Sequence, residues 1–102
     1  MAYESGALDA TLAAAAGDDQ ALLAELRSAF VQSAINHVDL MKRARCDGNW
    51  HVAAMRLKGL AASFNARELF DLAEEALSGA PGEPGVIRKI EHSLGLYQPI
   101  HR

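Results

Sequence analysis

The chain predicts an all-α fold, a small bundle of helices, and three observations carry that expectation. Half of its 102 residues are apolar, and Ala, Leu and Met dominate over β-branched and aromatic types, which favours helix over strand on intrinsic propensity. Apolar residues recur at spacings of three, four and seven, the period of a helix with one buried face. Turn-forming residues cluster at Gly17-Asp18-Asp19, at Asp47-Gly48-Asn49, at Asn65 and between Gly79 and Gly85, dividing the chain into five helical segments.

The first segment, about 7–16, is short and alanine-rich, marginal alone and expected to fold as a cap on the others. The second, about 19–46, is long, with Leu23, Leu26, Phe30, Ala34, Met41 and Ala44 in its apolar stripe. His37, seven residues after Phe30 and four before Met41, is expected to border that stripe as a hydrogen-bonded structural histidine. Lys42, Arg43 and Arg45 form the main basic cluster and read as last-turn cations that suit a helix C-terminus through its dipole. Cys46 reads as a small apolar filler.

Asp47-Gly48-Asn49 then predicts a turn whose residues tolerate positive φ and whose side chains accept from the next helix's free amides. The third helix is expected from about Trp50 to Phe64. At about 100° per residue, Ala53, Leu57, Leu60, Ala61 and Phe64 collect on one side, and His51, Met55, Lys58, Gly59 and Ala62 on the other. Asn65 suits the left-handed conformation that ends a helix. The fourth helix spans about Ala66 to Leu77, with Leu69, Leu72, Ala73, Ala76 and Leu77 inward and Glu68, Asp71, Glu74 and Glu75 outward. Pro84 opens the fifth, since its missing amide is unpaired there anyway, and Val86, Ile87, Ile90 and Leu94 form its apolar face. Four amphipathic helices joined by short turns, after a short one, suit an antiparallel up-down-up-down four-helix bundle. Residues 1–102 make one domain, with an ordered core over about 7–95 and a tail over 96–102.

Composition excludes several function classes. A formal charge of −3 with ten Lys plus Arg lacks the basic face that nucleic acid requires. No apolar run approaches the roughly 20 residues that span a bilayer, and no signal-like N-terminus is present, so a cytoplasmic protein is expected. A single cysteine fits a reducing compartment and supplies no metal knuckle. No pair of histidines has the i, i+4 spacing of a metal site, and His92 and His101 lie near the chain's end, so neither metal nor cofactor is expected. Hydrolytic or redox chemistry finds no nucleophile elbow, no phosphate-cradling glycine loop and no paired carboxylates beyond solvated faces.

The stretch from Met55 to Leu69 resembles the signature helix of histidine-containing phosphotransfer (HPt) domains, commonly Ala-His-x-Leu-Lys-Gly-Ser-x-x-x-x-Gly-Ala-x-x-Leu. Ala54, Leu57, Lys58, Gly59, Ala66 and Leu69 stand in the matching places, and the likeness extends from about Leu8 to Leu94. It departs from the pattern where Asn65 replaces a glycine and where Met55 replaces the phosphorylated histidine. A relay histidine offers a nitrogen lone pair to a phosphoryl group and holds it as a phosphoramidate, which a thioether cannot usefully do. The resemblance therefore implies the family's helical fold without its chemistry.

The partner it implies is the receiver domain of a response regulator or of a hybrid histidine kinase, met by a monomeric chain through His51, Met55, Lys58, Gly59 and Ala62. A mid-helix glycine costs about 1 kcal/mol relative to alanine, and close approach of another backbone is the usual reason for one. Packing of Gly59 against the second or fourth helix is the alternative. Met55 reads either as a rim gap-filler or as an adaptable recognition residue. In the family, the lysine at position 58 balances charge on the transferring phosphoryl group; a solvated lysine is its plain alternative.

Two other functions remain open. In one, His51 replaces the missing acceptor, its neutral form favoured by a place in the first turn of the third helix. In the other, an exposed strip of Met55, Gly59 and Ala62 drives self-association.

Overall fold

The computed structural model describes residues 6–95. Five α-helices dominate them: α1 (Gly6–Ala16), α2 (Gln20–Arg43), α3 (Asp47–Phe64), α4 (Arg67–Ser78) and α5 (Pro84–Gly95), with no strand among the described residues. The all-α expectation holds. The predicted tail and His101 lie outside the described residues.

Packing follows the apolar stripes. α3 lies against α2 and α4, α4 against α5, and α5 returns to α2, so that these four share one core. Phe30, Ala34 and Met41 from α2 meet Leu57, Leu69 and Ile90 from the other three. α1 lies on α2 and α3 and inserts Leu8 and Leu12, at 0% and 1% exposure. Burying a leucine fully contributes about 1.5–3 kcal/mol, which is what a short alanine-rich helix needs to be held in place. Arg27 donates to Asp9 at 2.6 Å and the Asn65 amide donates to Thr11 Oγ1 at 2.8 Å, fixing α1 at its edges.

The helix ends are mostly as the sequence implies. Gly17 takes φ 65° after α1, and the Asp19 carboxylate accepts from the Leu22 amide at 2.9 Å to cap α2. Asn65 takes φ 59°, with its amide on Ala62 O at 3.3 Å and the Ala66 amide on Ala61 O at 2.9 Å. That pair of bonds is a Schellman ending, which satisfies two of the helix's last carbonyls.

The α2–α3 connection differs from expectation. α2 ends at Arg43, and Asp47-Gly48-Asn49 form the first turn of α3 rather than a turn before it; none of the three has positive φ. The connection is Ala44–Cys46, and Cys46 precedes α3 without a side-chain cap. The cause is tertiary. Trp50 is buried, and its amide reaches Cys46 O at 3.1 Å only because the helix already runs through 47–49. Asp47 in that first turn suits the positive end of the helix dipole. In consequence Cys46 is exposed, not a core filler. Glu68 also departs from its expected outward place: it is half-buried, and its Oε1 is buried without a hydrogen-bond partner among the described residues.

Candidate docking face

Two anchors fix the rotation of α3. At its start the Trp50 indole N–H donates to the Ala76 carbonyl at 3.1 Å, tying α3 to the end of α4. At its end Phe64 packs against Phe30, ring centroids 5.2 Å apart, before Asn65 closes the helix. Between them Ala53, Ala54, Leu57 and Ala61 are buried, with Leu60 and Phe64 partly so. The inward set is the expected one with Ala54 added.

The opposite face follows by geometry. His51, Met55, Gly59 and Ala62 are exposed, Met55 at 46%. Among the described residues a Cβ on Gly59 would meet nothing within 4 Å outside its own helix backbone, so packing against α2 or α4 is not why a glycine stands there. Lys58 is the member that the fold engages. Its Nζ lies 3.2 Å from Glu74 Oε2 and 5.5 Å from the Phe70 ring centroid, so the cation rests on α4.

Two nearby residues escaped the sequence reading. Val52, 47% exposed, lies one turn before Met55 on this face, and Leu40 on α2 is 41% exposed. The helical period placed Val52 there already; its β-branched apolar side chain was the signal.

The histidines are placed differently from expectation. α3 begins three residues early, so His51 is its fifth residue and lies in the second turn, beyond the helix's free amides, rather than in the first. His37 borders the core but is not hydrogen-bonded through Nδ1, which is buried without a partner among the described residues. Burial lowers its pKa below the usual histidine range, and the nearby Arg56 guanidinium lowers it further.

Two shallow clefts flank the helices. One of about 330 Å³ opens at the C-terminal end of the α3 face, between Ala62, Arg67, Phe70 and Asp71. The other, about 280 Å³, lies between α2 and α5 beside Ile35, Val38 and Leu94. Among the described residues no group of three His, Cys, Asp or Glu side chains is placed to hold a metal ion, and no helix is long and apolar enough to cross a membrane. No protein-family model, curated protein or solved structure matches the chain.

Proposed function

We propose that this chain is an HPt-like docking module of a two-component phosphorelay that has lost the phosphoacceptor. In this reading α2 to α5 form an up-down-up-down four-helix bundle with α1 as its cap. The α3 face of His51, Met55, Lys58, Gly59 and Ala62 binds a receiver domain of a response regulator or hybrid histidine kinase in the cytoplasm. The bound receiver is occluded or redirected, and no phosphoryl group moves to the chain.

Gly59 carries the reading. It stands exposed inside an 18-residue helix with open space around its missing side chain, so its cost of about 1 kcal/mol has no compensation among the described residues. A partner backbone that closes on that position supplies one. Met55 beside it offers a flexible, polarizable contact and no nitrogen nucleophile. Lys58 exchanges Glu74 for a carboxylate or aspartyl phosphate of the receiver, one charge-assisted bond for another.

The test is incubation of the protein with receiver domains charged by acetyl phosphate. A complex is expected, with no acid-labile label on this chain; stable labelling overturns the reading. Gly59→Glu should abolish the complex with the helical content unchanged.

One observation favours an active relay through His51: its side chain is exposed on the Met55 face. Against it, Lys58 lies two turns away, roughly 10 Å along the axis. Transfer by the parent that disappears in His51→Gln would establish that second reading.

A further inference from the structure

We infer that the element seated on α3 is an amphipathic α-helix with acidic flanks, lying in the valley between α2 and α3. All four large apolar side chains exposed among the described residues belong to these two helices: Ile35 lines the α2–α5 cleft, and Leu40, Val52 and Met55 remain. Their levels match. Arg56 on α3 is near enough to His37 on α2 for its charge to reach the imidazole, and Leu40 and Val52 each stand one turn from those two residues toward the Ala44–Cys46 connection. Two helices joined by so short a connection and packed together therefore present Leu40 and Val52 on either side of one valley.

The spacing selects the shape of the occupant. Val52, Met55 and Gly59 follow one another by three and then four residues, and Gly48 and Ala62 continue the same alternation, all five exposed. This is the seam along which a second helix packs at a shallow angle, its side chains entering the gaps between residues three and four apart. The open position at Gly59 admits such a helix at close range.

Charge selects its chemistry. α3 carries Arg56 and Lys58 against a single acid, Asp47, in a chain whose formal charge is −3. Arg56 and Arg45, at the side and the end of the valley, form no salt bridge with any described residue. A second copy of this chain would bring the same cations together, whereas a helix with Glu or Asp beside its apolar seam neutralises them.

The inference shares with the proposed function the assignment of α3 as the contact face, and rests on it. The probe is a synthetic helix as long as α3, about 18 residues, with leucine at positions a and d and glutamate at e and g, titrated into the isotope-labelled protein. Amide shifts are expected at Leu40, Val52, Met55 and Gly59, with affinity several-fold weaker in Arg56→Glu and lost in Gly59→Gln. Both positions are exposed, so unchanged circular dichroism confirms that each variant folds. Equal binding of the same helix with lysine at e and g overturns the inference. So does absence of binding, shifts confined to α5, or concentration-dependent broadening without peptide, which would make the occupant a second copy. If a receiver domain binds and Gly59→Glu blocks it while the acidic helix does not bind, the helix inference falls and the docking face stands.

Discussion

Lys58 reaches from α3 to within 3.2 Å of Glu74 Oε2 on α4, so the cation at the centre of the proposed contact is tethered before any partner arrives. A tethered cation is pre-oriented, and it must release one carboxylate to take another. Its side chain is 31% exposed and that of Glu74 51%, so water screens the pair. Such pairs are worth about 0–1 kcal/mol.

Lys58→Ala is therefore expected to lower stability by less than about 1 kcal/mol in urea denaturation, while Lys58→Glu abolishes receiver docking. A loss well above that figure would assign Lys58 to the scaffold.

Gly59→Ala should stabilise the fold. Outside its own helix backbone no described residue lies within 4 Å of the added Cβ, and alanine is favoured over glycine inside a helix by about 0.5–1 kcal/mol. A rise of roughly 2–8 °C in the thermal midpoint is the expected reading for a chain of this size. A fall would reveal packing at Gly59 and remove the argument that it serves a partner.

Trp50→Phe keeps most of the ring's bulk and deletes the 3.1 Å bond to the Ala76 carbonyl. An acceptor left without its donor costs about 1–3 kcal/mol. Chemical denaturation followed by circular dichroism should show that loss, and an unchanged midpoint would mean that α3 and α4 are not coupled there.

Acid should weaken the fold through His37. Its folded pKa lies below the unfolded value, chiefly through burial and secondarily through Arg56. The unfolded chain therefore binds the proton more readily. Above about pH 6.5 the group is neutral in both states and contributes nothing. As pH falls through that value, stability declines, and the penalty is complete below the folded pKa. His37→Gln should flatten this part of the stability profile between pH 7 and 5; an unaltered slope would assign it to other groups.

Much of this architecture is legible in residue order, because periodicity and helix endings are local. Five segments, the buried stripes of α2 and α5 and the left-handed Asn65 follow from spacings of three and four and from single-residue backbone preferences. What was not legible depends on residues far apart in the chain. Asp47-Gly48-Asn49 has the chemistry of a turn, yet the burial of Trp50 and its bond to Ala76, 26 residues on, favour helix there. The same shift leaves Cys46 in water and moves His51 into the second turn. On the α3 face, the exposure of Met55 and Gly59 follows from rotation about the helix axis. The attachment of Lys58 to Glu74 and Phe70 required knowing which side of α4 comes near.

The placement of α1 bears on how the molecule is made. Leu8 and Leu12 are sealed only where α2 and α3 pass over them, and Thr11 takes its hydrogen bond from Asn65, 54 residues later. At roughly 5–20 residues per second of synthesis, the earliest helix leaves the ribosome several seconds before its seat exists. Two leucines thus stay open to chaperones or to neighbouring nascent chains until the end of α3 emerges, and the cap closes late in biogenesis although it is translated early.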